Sequence, residues 1–289
     1  MTSQPGILLP VPPHARHLVF RLVPGMDPHD ALRALTARPV DEGVVIGLGA
    51  SLVAALGAEV EGLRVFPRHV GPGIEVPSTP AALWMWLRGD DRGELLHRTR
   101  ALAALVAPAF SLDETIEAFM YGASQDLSGY EDGTENPTGD DAVAAAFAPD
   151  GSSFVAVQRW VHDLSRLEAM SQEERDHTIG RRLADNEELD DAPASAHVKR
   201  SAQESFAPEA FVLRRSMPWS EPSREGLVFV AFGRSFDAFE AILARMVGAE
   251  DGITDALFRF TTPVTGRYFY CPPVKDGRLD LGRVGITAP

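Results

Sequence analysis

Three short segments of this 289-residue chain carry side chains of complementary chemistry: GYEDGTENP at 129–137, APASAHVKRS at 192–201 and FVLRRSMPW at 211–219. They supply a carboxylate, Asp132, an imidazole, His197, and a guanidinium, Arg214. That set suits the cleavage of a peroxide on haem iron. Such a reaction needs an axial nitrogen ligand on one face and, on the other, a proton shuttle beside a fixed positive charge. Each residue taken alone has a plainer reading. Asp-Gly and Asn-Pro are common turn punctuation, and one of eight histidines is more often a surface or capping residue than a ligand. The argument therefore rests on the segments standing together.

The segments resemble those of the dye-decolorizing peroxidases, especially the shorter bacterial kind called type B. Gly129, Asp132 and Gly133 form the GxxDG signature, extended by Thr134, Glu135, Asn136 and Pro137. SSFVAVQRWVHDL, IGRR, SAHV, VLRRSMPW, GLVFVAF and DGITDALFRFTTPVTGRYFY follow in the family's order. The likeness covers most of the chain between Tyr121 and Pro273, and FSLDETIEAFMYG leads into it. It implies a haem b (iron protoporphyrin IX) peroxidase that reduces hydrogen peroxide and oxidises dyes, phenolics or other small organic donors through a ferryl intermediate. It also implies an α+β fold of two ferredoxin-like halves with antiparallel sheets packed together, of the dimeric α+β barrel type. Residues 1–122 would form the N-terminal half and 123–289 the half that carries the haem site.

Within this resemblance His197 is the iron ligand. A ligating imidazole usually gives its second N–H to a carboxylate or carbonyl, and Asp255 in DGITD is the expected partner. Asp132 is the expected proton shuttle; a carboxylate is a weaker base than the histidine of plant peroxidases, which favours activity at acidic pH. Arg214 and Arg215 are neighbours on a predicted strand, so their side chains leave opposite faces. The resemblance assigns Arg214 to the charge that develops as the O–O bond breaks and leaves Arg215 for a surface salt bridge. Ser216 departs from the family, standing where an asparagine usually accompanies the distal pair. The shorter hydroxyl leaves space for a water on the proton route. Arg181 is expected to pair with a haem propionate, the alternative being a solvated helix face. Phe229 is expected to cover the distal side of the haem, the alternative being an ordinary core position. Glu135 has two readings, a ligand for a metal such as manganese or an ordinary solvated acid. Trp84, Trp86, Trp160, Trp219 and the tyrosines are expected in the core, with one near the surface able to relay an electron from a bulky dye.

Composition narrows the partners. A net charge of −14 argues against nucleic acid or an anionic membrane. The single cysteine, Cys271, excludes an internal disulfide and a cysteine metal cluster. MTSQPGILLPVPPHARHLVF has no basic start, long apolar stretch, small-residue cleavage site or twin-arginine pair, so a cytoplasmic location is expected. A homo-oligomer is expected too. Some family members carry a C-terminal peptide that loads them into an encapsulin shell, for which the tail VKDGRLDLGRVGITAP gives only weak support. Two other functions suit such a chain: a haem-handling protein without turnover, and a ferredoxin-like sensor or assembly protein with a different ligand.

The elements that must position these residues follow from periodicity and caps. Strands are predicted over 17–23, 44–48, 82–88 and 110–119, with a helix after Asp27 as N-cap and Pro28 at its first position and another over 91–106. In the second half, 154–161 reads as a strand. Ser171 and Glu174 form a capping box that opens a helix through Arg182. An acidic loop over 184–196 delivers His197. Strands over 211–215 and 227–232, a helix capped by Ser235, and strands over 258–261 and 267–271 complete the order. Strand, helix, strand, strand, helix, strand, twice over, is the ferredoxin-like pattern.

Overall fold

The computed structural model describes residues 2–287. The first half runs β1 (His14–Leu22), α1 (His29–Thr36), β2 (Val44–Leu48), α2 (Ala50–Ala55), a hairpin of β3 (His69–Gly71) and β4 (Ile74–Val76), β5 (Leu83–Gly89), α3 (Arg92–Val106) and β6 (Phe110–Phe119). The second runs α4 (Gly139–Ala146), β7 (Ser153–His162), α5 (Leu164–Glu168), α6 (Gln172–Ile179), α7 (His197–Ser201), β8 (Leu213–Arg214), β9 (Met217–Glu221), β10 (Arg224–Gly233), α8 (Asp237–Met246), β11 (Thr261–Pro263), β12 (Arg267–Cys271), β13 (Val274–Lys275) and β14 (Arg278–Leu279). It is an α+β protein whose main strands pair antiparallel.

The large sheet has the order β7-β12-β2-β5-β1-β6-β9-β10, and β10 pairs again with β7, so the ring closes on itself. The two halves meet at narrow seams, Tyr270 against Leu48 and Ala118 against Trp219. Alternation along the strands sends one set of side chains inward: Val19, Val45, Trp84, Trp86, Val155, Val157, Trp219, Val228, Val230 and Phe269 form a shared interior. The other set, including Leu18, Phe20, Met85, Phe154, Ala156 and Ala231, packs under the apolar faces of α1, α3 and α8. His17 lies wholly buried, its ring stacked with Trp84 and Trp86 at 5.9 and 6.1 Å. Burial alone pushes its pKa down to about 3.

Several local expectations need correction. Pro28, not Asp27, is the N-cap of α1; the Asp27 carboxylate instead accepts from the His29 backbone N–H at 3.0 Å. The capping box of Ser171 and Glu174 is present, but α6 stops at Ile179 because Gly180 turns left-handed, with φ of 93°. Phe236 rather than Ser235 caps α8, Ser235 accepting from the Asp237 N–H. Residues 256–259 form a 3-10 turn in place of a strand, because the Asp255 side chain caps the Leu257 N–H. The expected loop over 184–196 ends at Ala196, the N-cap of α7, so that His197 opens that short helix. Helices α2, α4 and α5 and the β3–β4 hairpin were not anticipated.

Candidate active site

His197 is delivered by a long connection that returns to pack against the end of α6. The return requires Gly180: a Cβ there would collide with the Val198 side chain and lie 3.2 Å from the Ala196 Cβ. Arg200, one turn on, fixes α7 to the end of α8 by a bidentate pair with Asp251 at 2.8 Å and a bond to the Arg245 carbonyl. Asp255 is fully buried at its side chain, with one carboxylate oxygen 2.8 Å from His197 Nδ1 and the other accepting the Leu257 N–H at 2.8 Å. A carboxylate only accepts, so Nδ1 carries the ring proton and Nε2 keeps its lone pair. The His197 side chain is 22% exposed, and Asp255 is its hydrogen-bonding partner.

Asp132 sits in the turn that follows β6. Its N–H donates to the Ser124 carbonyl, and Ser124 holds φ of 83°, a left-handed backbone uncommon for serine. Gly133 is left-handed too, at φ of 87°, and a Cβ there would come within 2.8 Å of the Asn136 amide. That amide matters because Asn136 clasps the backbone of Arg214: its carbonyl accepts the Arg214 N–H at 2.8 Å and its NH2 donates to the Arg214 carbonyl at 3.1 Å. Gln203 makes a second tie, donating to the Glu135 carbonyl and accepting the Val212 N–H. With the two backbones locked together, Arg214 Nη1 stands 3.2 Å from Asp132 Oδ1, both side chains about one-fifth exposed. The buried Arg214 Nε has no partner.

β8 and β9 share one register against β10, Arg214 opposite Ala231 and Met217 opposite Val228, so Ser216 falls opposite Phe229. Arg214, Ser216 and Phe229 thus share the face covered by α8, where Phe229 packs 5.9 Å from Phe239. Arg215 leaves the opposite face, as strand geometry requires. Its expected surface salt bridge is absent: it is half-buried and donates to the carbonyls of Ile7, Leu8 and Arg214, and burial lowers its pKa to about 10. Ser216 Oγ accepts the Val230 N–H at 3.3 Å. Asp132 and Ser216 both border a small cleft lined also by Met120, Tyr121, Met217 and Leu227.

Arg181 is not on a helix face, since α6 has already ended. Its guanidinium binds Glu135 at 2.6 Å and the Asn186 carbonyl at 2.9 Å, with Glu188 at 3.7 Å. Asn136 and Gln203 escaped the sequence reading. Asn136 lay inside the quoted signature, but nothing in a one-dimensional pattern says that its amide meets the backbone of a strand far along the chain.

A family model described as "Dyp-type peroxidase, C-terminal" matches residues 123–276. The dye-decolorizing peroxidase of Mycobacterium tuberculosis is 31% identical to this chain over 95% of its length and 89% of the relative's. This chain belongs to the dye-decolorizing peroxidase family. Another member, from Rhodococcus erythropolis, is 30% identical over 98% of this chain and 97% of its own. Among solved structures, the dye-decolorizing protein from V. cholerae superposes with a TM-score of 0.85 at 28% identity, covering 99% of this chain and all of its own. A variant of DypB from Rhodococcus jostii, solved in complex with heme, gives 0.85 at 26% identity over 92% and 95% of the two chains. Among the described residues of this peroxidase-family chain, no helix is long and apolar enough to cross a membrane.

Proposed function

We propose that this protein is a haem b peroxidase that reduces hydrogen peroxide with electrons from small organic donors, dyes and phenolics among them. The observation that carries the reading is the His197–Asp255 bond, which leaves Nε2 free in a member of this family. No group of three or more His, Cys, Asp or Glu side chains is arranged around a common metal position among the described residues. A single free imidazole nitrogen fits an iron that arrives with four porphyrin nitrogens already bound. The orphaned Nε of Arg214 is a second fit, a buried donor without a partner in the protein, on the same guanidinium that pairs with Asp132.

When bound, the haem supplies the two-electron chemistry at peroxide and takes the electrons back one at a time from donors. The chain does the rest. His197 Nε2 would hold the iron, with Asp255 fixing the tautomer and making the ring a stronger electron donor. Asp132 would accept a proton from hydrogen peroxide at one oxygen and return it to the departing oxygen, which leaves as water. Arg214 would hold its positive charge where negative charge develops as the O–O bond breaks. Ser216, in the place of an amide, leaves the cleft beside Asp132 open to a bridging water. Phe229 would contribute an apolar wall, and Arg181 would answer a propionate by exchanging Glu135 for it.

Fold and setting belong to the same proposal. Each half orders its four main strands alike, β6-β1-β5-β2 and β12-β7-β10-β9, which supports two ferredoxin-like units. The family match beginning at residue 123 supports a division near 122. We place the enzyme in the cytoplasm as a homo-oligomer, a setting with which its one buried thiol, Cys271, is compatible. The test is stopped-flow absorption of haem-loaded protein mixed with one equivalent of hydrogen peroxide. Rapid change of the Soret band followed by return on adding donor is the expected result. Haem uptake with no reaction would move the protein to the carrier reading, and no uptake to the sensor reading.

A further inference from the structure

We infer that His162 is a positioning residue for the peroxide step, holding, through Asp126, the turn that presents Asp132. The inference rests on the peroxidase reading above. His162 ends β7 and is 7% exposed. Its Nε2 lies 2.9 Å from Asp126 Oδ1 and its Nδ1 lies 2.6 Å from Thr261 Oγ1 on β11. The edge of the Phe260 ring closes over it, with centroids 5.8 Å apart.

Asp126 is the hub of the turn between β6 and the signature. Its second oxygen accepts the Ser128 N–H at 2.8 Å, its own N–H donates to the Tyr130 carbonyl, and its carbonyl accepts the Gly129 N–H. Burial pushes its carboxyl up, but the hydrogen bonds from His162 and Ser128 outweigh that and hold it below the usual carboxylate range. An ionised carboxylate only accepts, so Nε2 carries a proton, while Nδ1 is hydrogen-bonded to the Thr261 hydroxyl. One ring thus ties the turn to two strands of the barrel. Tyr130 anchors the same turn from the other side, buried among Leu167, Ile179 and Phe260 with its hydroxyl 2.5 Å from Asp176. The backbone of Asp132 hangs from Ser124, which stands before this hub, so a turn that drifts at Asp126 carries the catalytic carboxylate with it.

The order Asp, His, Thr is also that of acyl-transfer triads. Here Thr261 is 4% exposed and its hydroxyl also reaches the Val161 carbonyl at 3.2 Å. The chain of bonds is placed to hold, not to attack.

The experiment is double-mixing stopped flow on the haem-loaded enzyme, which separates the peroxide half-reaction from the donor half-reaction. His162→Phe removes both bonds, Asp126→Ala removes the same tie from the turn, and His162→Gln keeps a donor at the Nε2 position. We expect the first two to slow the peroxide half-reaction by about ten- to a hundredfold, the range that follows from misplacing a catalytic group by a fraction of an ångström to an ångström. The donor half-reaction and the haem content should stay at wild-type values, and His162→Gln should restore most of the lost rate. An unchanged peroxide half-reaction, equal slowing of both halves, or failure of glutamine to rescue overturns the inference. Should His162→Phe not fold, Asp126→Ala and His162→Gln carry the same comparison. Wild-type enzyme inert to peroxide overturns the peroxidase reading and this inference with it, whereas reactive wild type with unaltered variants overturns the inference alone.

Discussion

Asp255→Asn is the sharpest perturbation of the proposed ligand, because it changes one charge and one proton while conserving shape. The asparagine side chain must still satisfy the Leu257 N–H, which the native carboxylate accepts at 2.8 Å, so its carbonyl oxygen turns there. Its NH2 then faces His197 Nδ1, where the native carboxylate stands 2.8 Å away as an acceptor. The ring has to move its proton to Nε2, the nitrogen required by iron, or lose the bond. A hydrogen bond to a charged group contributes about 1.5–3 kcal/mol, and at roughly 1.4 kcal/mol per factor of ten that is about ten- to a hundredfold in affinity, the usual cost of losing an outer-shell partner. The assay is transfer of haem from the protein to an excess of scavenger, followed at the Soret band. The off-rate should rise by about that factor, and the ferric–ferrous midpoint potential should rise as the anionic partner is lost. An off-rate and potential equal to wild type would falsify the claim that Asp255 sets the His197 tautomer.

Three further outcomes are expected. Asn136→Ala removes both bonds to the Arg214 backbone, each worth about 1 kcal/mol, and should slow the peroxide step while leaving haem content intact; single-mixing kinetics with peroxide check it. Gly180→Ala places a methyl against Val198 at a left-handed residue and should cost about 1–3 kcal/mol, read as a lower denaturant midpoint together with weaker haem retention. His17 has a folded pKa of about 3 against 6.5 when free, so below pH 6.5 the unfolded chain binds the extra proton. Stability should fall by about 1.4 kcal/mol per pH unit from about 6.5 towards 3. His17→Phe should flatten that part of the profile, and parallel urea midpoints for the two proteins across pH 4–7 would refute the assignment.

The sequence by itself determined the long elements and offered the candidate side chains of the site. The apolar runs at 82–88 and 227–232 and the capping box of Ser171 and Glu174 are local properties, because a run or a cap is written within a few residues. The strand alternation that sends Arg214 and Arg215 to opposite faces is local in the same way. What Arg215 touches was not: its carbonyl partners at Ile7 and Leu8 lie at the other end of the chain, so a surface ion pair was the reasonable but mistaken expectation. The end of α6 was legible only in part, since Gly180 is a stop signal, but its reason is that Val198 packs against it. Only the tertiary structure decided that Asn136 holds Arg214, that Glu135 holds Arg181, and that His162 reaches Asp126. These pairings join segments that lie far apart in the chain and meet only in the folded protein. A hydrogen bond between such segments leaves no periodic trace in either of them, so candidate residues could be read from the chain, and their arrangement could not.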